Sequence, residues 1–544
     1  MLRHSPNRGC IGLLTVKRTP LLIRLLWVIL VAHIIWLRVS DAHGDQGLRN
    51  SFSFISIVVG LVVHWAWLIL AGGLDQRRRL TWLITPPLCL ALFFACLRFD
   101  GYSGYMIPHV SWRWAAPDAP REVTLNQVAL PAMGEAASPW GYPGFLGPDR
   151  MGRADGVNLV PDWRTHPPQL LWRQAVGEGW SGFAVHGELA VTMEERDGTT
   201  GLYGYSLTTG ELLWAYAWPG EFDHSLAGPG PRCTPSIALG RVYGYGPRGR
   251  LVCVAADSGA LIWEHDLPLE YGVTQEQETK NVLYGRANSP LVTEGMLIIP
   301  GGGDSATKQV GLAAFDALTG DVLWESPRRQ LSYASPTRAT LAGLDQILTV
   351  NEGSVTGHDP TDGAILWEHP WPSGSSTSAA ASQAVPLPPD GVLISKGYGL
   401  GALRLRLVPA TSGPLEVSVL WHERRVLRTK LTNVVLRGPH AYGLSDGILE
   451  CVDLELGRRI WKGGRYGHGQ IIGSGDLLII QTEEGEIILR AASPEAKPGT
   501  PGADLGRIRA LDGKAWNNLA LAGDVLLVRN SREASAWRLA LQPR

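Results

Sequence analysis

Cysteine is scarce: six residues in 544, at 10, 89, 96, 233, 253 and 451, and none falls in a CxxC or CxxCH phrase. A zinc ribbon and a c-type haem are therefore unsupported. Three of the six lie in the part beyond the apolar N-terminus, an odd number that argues against a disulfide framework there. Charge is also thin, at 18% of residues with a formal net of −1. That balance gives no bulk attraction to nucleic acid or acidic membranes. HExxH, GxSxG and EF-hand patterns are missing. "GGG" at 301–303 is followed by neither a helix nor GK[ST], which excludes a phosphate loop. Helical periodicity is lacking from residue 139 onward.

What is plentiful is glycine (65), tryptophan (21) and apolar side chains (45%). The first hundred residues hold three apolar runs, at about 21–38, 52–73 and 80–97. Each approaches the roughly 17–25 residues that cross a bilayer. Arg24 and His33 interrupt the first, and Pro86 and Pro87 lie in the third, where a membrane helix tolerates them. Arg3, Arg8, Lys17 and Arg18 precede the first run, and Arg77, Arg78 and Arg79 separate the second from the third. The positive-inside rule then places residues 1–20 in the cytoplasm and everything after 98 outside. A cleaved signal segment ending at Ser40-Asp41-Ala42 is the alternative for the first run, and leaves the orientation unchanged. Residues 99–138 read as a juxtamembrane linker.

From 139 to 544 the pattern is short β-strands bounded by Gly, Asp and Pro turns every 8–12 residues. Five phrases recur: "LTTGELLW" (207–214), "ADSGALIW" (256–263), "ALTGDVLW" (317–324), "PTDGAILW" (360–367) and "LELGRRIW" (454–461). Tryptophans at Trp172, Trp214, Trp263, Trp324, Trp367, Trp421 and Trp461 are spaced near the ~40–50 residues of a propeller blade. The Asp-x-x-x-Gly part, with Asp316, Asp359 and Asp453 in the first slot, turns the chain between third and fourth strands, Gly supplying positive φ. The apolar triplet is the outermost strand, and its Trp docks in the gap between blades. Residues 516–541 offer three strands only, and "PQLLWRQAV" (168–176) supplies the missing fourth, closing the ring. The fold class is thus an all-β, eight-bladed propeller (seven being the alternative) with Trp docking motifs, preceded by a three-helix transmembrane region.

The Gly-x-x-x-Trp phrases, with upstream strands of the "SP-x-x-x-x-G" type, resemble the PQQ-like (quinoprotein) β-propeller repeat, whose members include quinoprotein dehydrogenases and BamB-like assembly proteins. "WGYPGFLGPDRMG" (140–152), "GPGPRCTPSI" (228–237), "SYASPT" (332–337), "WKGGRYGHGQ" (461–470) and "KAWNNLALAGDVLLVRN" (514–530) resemble a narrower bacterial membrane-anchored subgroup. The resemblance implies a propeller on the periplasmic side of the bacterial inner membrane. It does not fix an activity, since a fold hosts many functions. A dehydrogenase of this family requires PQQ with calcium, an oxygen-ligand site and an electron exit. This chain has no adjacent Cys pair and no haem motif. The expected role is therefore a binding or scaffold module for a protein partner or small ligand. A membrane-bound PQQ-dependent dehydrogenase of alcohols or sugars, feeding electrons to quinone, is the alternative. No catalytic and no metal-ligating residue is assigned, and a nucleic-acid partner is not expected.

By the repeat register, the starts of the innermost strands line the channel mouth. Arg232, Arg286, Asn288, Tyr333, Asn433, His468, Gln470, Trp516 and Asn517 are the candidate ligand-binding residues there, with Trp180-Ser181 at the same level. Arginine is a fork-shaped donor for carboxylate, phosphate or quinone oxygens. The competing use of such residues is to tie loops together near the axis.

Overall fold

The computed structural model describes residues 20–40, 44–71, 73–114, 141–304, 306–328, 331–372, 379–410, 415–500 and 502–543. Cys10, the basic residues before position 19, the Asp41-Ala42 site and residues 115–138 of the linker lie outside the described residues. The chain forms two compact units, 1–117 and 118–544.

In the first unit, α1 (Leu21–Val39), α2 (Gln46–Ala71) and α3 (Gln76–Cys96) are each long and apolar enough to cross a membrane. Asp75 caps α3, its carboxylate accepting the Arg78 N–H at 2.8 Å. The helix runs through Pro86 and Pro87. α1 and α2 meet where the Trp27 ring lies over Gly60; a Cβ there would stand 2.8 Å from the indole. Polar groups on the two helices satisfy each other, as an apolar solvent demands. Trp27 Nε1 donates to His64 Nδ1 at 3.3 Å, and His33 Nδ1 pairs with the Ser56 hydroxyl at 3.1 Å. After α3 a hairpin forms from β1 (Leu97–Tyr102) and β2 (Pro108–Trp112). Linker composition had concealed it, because its strands are short and a bulge between Phe99 and Gly101 breaks the alternation.

The second unit is an eight-bladed propeller of four-stranded antiparallel meanders. Blades 1 to 7 span 184–219, 236–266, 291–327, 337–370, 385–423, 435–465 and 470–509. Blade 8 takes three strands from 520–538 and its outermost from β3 (Gln169–Ala175), which pairs antiparallel with Glu533–Arg538. First strands of neighbouring blades touch one another, which puts them on the axis. Helices are confined to α4 (Leu267–Glu270) and α5 (Gln275–Asn281) among the described residues of this unit.

One contact recurs between blades. The indole Nε1 of Trp172, Trp214, Trp263, Trp324 and Trp421 donates to a backbone carbonyl in the third turn of the next blade: Leu207, Ala256, Ala317, Pro360 and Leu454, at 2.9–3.2 Å. Each ring lies on the glycine three residues further on. A Cβ at Gly210, Gly259, Gly320 or Gly457 would stand 2.6–2.8 Å from the indole, and at Gly363 closer still. These glycines also have φ between 65° and 82°, which a turn of this shape requires. Asp316, Asp359 and Asp453 accept backbone N–H groups of their own turns at 2.8–2.9 Å. Two tryptophans depart from the pattern. Trp367 Nε1 turns back to Gln346 Oε1 of its own blade; the sequence joining the third and fourth strands of the next blade carries no Asp-x-x-x-Gly. Trp461 faces the long Pro-rich turn of blade 7 and lies 6.1 Å from the Tyr442 ring, its Nε1 without a partner. Between blades 7 and 8 the gap is filled by Trp163, from the segment before β3.

Replacing Trp263 by Ala should cost about 3–5 kcal/mol, the range for a buried aromatic truncated to Ala. Leu261→Ala on the same strand, 43% exposed, should change little. Denaturant unfolding followed by circular dichroism tests the pair; similar small losses would refute the docking role.

Candidate functional site

The site grows from the segments leading into the first strands. At every blade junction a hydrogen bond ties one segment to its neighbour. Gly182 N–H donates to Thr234 Oγ1, Thr234 N–H to Ser289 Oγ and Ser289 N–H to Ser335 Oγ, at 2.9–3.1 Å. Thr337 Oγ1 donates to the Ala384 carbonyl and Gln383 N–H to Asn433 Oδ1. Gln470 Nε2 bridges the Leu431 and Trp516 carbonyls at 2.7 and 2.8 Å, and Asn517 Nδ2 reaches those of Gly179 and Ser181. The ring is thus laced eight times over by short polar side chains, most of them in Ser/Thr-Pro or Asn positions.

The axial hole is not empty. Residues 141–159 thread across it and touch innermost segments of six blades. Tyr142 bridges Val185, and Pro143 accepts the Ile237 N–H. Arg150 donates to the Ser289 and Pro290 carbonyls at 2.9 Å, and its own carbonyl accepts from Gln383. Gly152 lies against Val435, and Arg153 bridges Gly473. Arg150 therefore floors the mouth, with burial pushing its guanidinium down to about 10.

Among the sequence candidates, Asn288, Asn433 and Asn517 are spent on the lacing; Asn288 Nδ2 donates to the Ser332 and Ala334 carbonyls at 3.1 and 2.6 Å. Arg286 is 1% exposed, paired with Glu278 Oε1 at 2.5 Å and donating to the Gly301 carbonyl, so it belongs to the wall. Arg232 holds its own loop through the Ala227, Gly228 and Gly230 carbonyls, over the Phe222 ring at 5.0 Å. Of the rest, Tyr333 and Trp516 are partly exposed, whereas His468 and Gln470 are buried in the wall. Glu483 draws together the His468 N–H (3.0 Å) and Trp516 Nε1 (2.9 Å), and Gln470 holds the Trp516 backbone. Trp516 lies 5.1 Å from Trp180, with the Lys514 ammonium over both rings at 4.2 and 4.9 Å. Tyr333 packs 5.6 Å from Tyr284, its hydroxyl accepting the Tyr284 N–H, and burial pushes its phenol up to about 12.

Sequence reasoning missed the cations. Burial lowers Lys514 to about 8, Glu483 offsetting part of that. Lys396 and Lys430 lie 5.9 and 4.9 Å from the Tyr398 ring centre, and the charge of Lys430 reaches Tyr284. Lys396 ends the apolar strand "GVLISK", where alternation aims it into the blade 4–5 gap with Val392 and Ile394. That parity was the available signal. One cluster thus gathers the aromatic rings with the Arg232, Lys396, Lys430 and Lys514 cations, and with Glu195, Asp223, Glu352 and Glu483 among them. It suits a ligand or partner carrying negative charge beside a flat or apolar surface.

The sequence profile of the family described as outer membrane protein assembly factor BamB matches residues 202–463, within the repeats. The dehydrogenase subunit of a quinone alcohol dehydrogenase from Gluconacetobacter polyoxogenes is 29% identical over 147 residues, 26% of this chain and 18% of that relative. The matched stretch therefore spans under a fifth of the relative's length. Among solved structures, the quinohemoprotein alcohol dehydrogenase ADHIIG of Pseudomonas putida HK5 superimposes with a TM-score of 0.50 at 12% identity, over 75% of this chain and 81% of that one. BamB of Moraxella catarrhalis gives 0.46 at 13% identity, over 69% and 99%. The resemblance of the Gly-x-x-x-Trp phrases to the PQQ-like repeat thus holds, and the shared fold is the propeller.

Burial lowers Lys396 to about 7, against a usual value near 10.5. The unfolded chain then binds the extra proton between those values, so the folded state gains stability as pH rises from 7 towards 10.5 and carries the full penalty below 7. Melting curves of wild type and Lys396→Met across that range should converge as pH rises. A constant gap would mean that Lys396 does not titrate in the fold.

Proposed function

We propose that this chain is a membrane-anchored propeller held on the extracytoplasmic side, where its mouth binds a protein partner or a small ligand. The observation that carries the reading is the cup itself: a floor closed by residues 141–159, a laced wall, and a rim on which Trp180, Trp516, Tyr284, Tyr333 and Tyr398 stand beside ammonium groups. A rigid wall keeps such groups in place without spending ordering entropy on association. Three helices long and apolar enough to cross a membrane support the anchoring, and the distribution of basic residues in the sequence supports the side.

The second reading, a PQQ-dependent dehydrogenase of alcohols or sugars, is favoured by the quinone alcohol dehydrogenase match. The aromatic rings and lysines suit a planar polyanion such as PQQ. The calcium partner fits less well. No group of three Asp, Glu, His or Cys side chains converges among the described residues, and Glu483 is already engaged by His468 and Trp516. A calcium site needs six to eight oxygen ligands. The donor set therefore does not fit the pair, and no oxidation step is derived for this chain.

Two experiments decide between the readings. Adding PQQ and Ca²⁺ to the purified chain should yield no saturable dye reduction with alcohols or sugars; clear turnover would defeat the binding-module reading. Crosslinking in membranes should capture a discrete partner, with capture weakened by Trp516→Ala. The topology has its own check: a cysteine placed at the exposed Lys497 should react with a membrane-impermeant maleimide in intact spheroplasts. Labelling only after lysis would reverse the orientation.

A further inference from the structure

We propose that Lys396 and Lys430 form an oxyanion-binding site in the mouth, taking the carboxylate or phosphate group of a small ligand. This rests on the reading of the mouth as a binding site and deepens it. Lys396 is 1% exposed and its ammonium has no hydrogen-bond acceptor. No carboxylate among the described residues offsets its burial. Lys430, 9% exposed, brings a second ammonium to the same Tyr398 ring.

The arrangement is built rather than incidental. Lys396 closes a strand register against Gly401, and Val392 and Ile394 of that strand are packed into the blade 4–5 core. Gly397 N–H donates to the Thr429 carbonyl, tying the strand end to the segment that carries Lys430. Behind it, the Thr429 hydroxyl pairs at 2.7 Å with those of Ser382 and Ser395, so three segments are pinned at one point. Tyr398 itself is held at φ 56°, a left-handed conformation uncommon for a bulky residue.

An isolated buried charge is unfavourable, and a methionine of similar length would relieve it at no loss of packing. A buried ammonium offers three donors and no acceptor. An oxyanion supplies what the fold withholds from Lys396: lone pairs for its donors and a charge to balance it, in charge-assisted bonds that the nearby Lys430 would strengthen. The Tyr398 ring borders both ammonium groups, and Tyr284 lies within reach of the Lys430 charge.

The test uses the full chain in detergent, with inorganic phosphate and trimesate, a benzene tricarboxylate, as probes against chloride at matched ionic strength. Wild type should show a saturable rise in melting temperature with at least one probe. Lys396→Met should melt higher than wild type without anion, yet lose the anion response, with apparent affinity down by about tenfold or more. Lys430→Met should lose part of it, and carries the comparison alone should Lys396→Met not fold. A response to phosphate only assigns a phosphate ligand, and one to trimesate only assigns a carboxylate. The proposal is overturned if neither probe exceeds chloride, if Lys396→Met responds like wild type, or if that variant melts lower without anion. An anion response without a captured protein partner removes the partner half of the functional reading and leaves this site standing. Capture without an anion response removes this site alone.

Discussion

The propeller depends on one contact, an indole laid on a glycine of the next blade while its N–H reaches a carbonyl in the same turn. Each partner needs the other to be what it is. A side chain on Gly320 would collide with Trp263, and a smaller residue at 263 would leave the Ala317 carbonyl with the Tyr243 hydroxyl alone and open the gap the indole fills. Because the turn is also the connection into that blade's outermost strand, the contact fixes the blade's edge as well as its neighbour. A ring built from such steps has no incomplete blade once β3 completes the last sheet, so only short outer edges remain, and the described cysteines of the propeller are free thiols. The buried thiols agree: burial pushes Cys233 up to about 12, making it a packing group and not a reactive one.

Toward the axis the logic changes from apolar to polar. First strands are only three to five residues long, too short to hold their spacing by sheet bonds alone. The lacing by Thr234, Ser289, Ser335, Asn433, Gln470 and Asn517 supplies it. This is why so many polar residues near the channel are unavailable to a ligand. A buried amide or hydroxyl must find a partner, and here the partner is the adjacent blade. The Lys396 ammonium stands apart from this lacing, buried and without an acceptor.

That division explains what could be read from the chain. Blade number, the strand borrowed from 168–176 and the Asp-x-x-x-Gly turns were legible, because each rests on a local rule with a fixed period. The destinations of Asn288 and Arg286 were not. Both positions are polar and close to the axis, and only packing distinguishes a side chain aimed along the wall from one aimed into the opening. Trp163 escaped notice because it serves the ring from outside the repeats, filling the gap that blade 7, with "DLGRIR" as its outer strand, leaves open. Lys396 was hidden for the opposite reason. A lone charge at the end of an apolar strand reads as a solvated terminus, whereas this one is 1% exposed beside the Tyr398 ring.

The segment 141–159 settles how the cup can work. By running past the innermost strands of six blades it fills the channel, and Arg150 then hangs from blade 3 carbonyls while blade 5 donates to its backbone. On the reading proposed above, a ligand would enter and leave by the same face, with its innermost group towards the Arg150 guanidinium. Two of the three polar nitrogens of that guanidinium are committed to carbonyls, with Nε left over. The floor thus adds positive potential more than it adds donors. Affinity for an anion would come from the field of the whole cup, while orientation would come from whichever ammonium lacks an internal acceptor, and that ammonium belongs to Lys396.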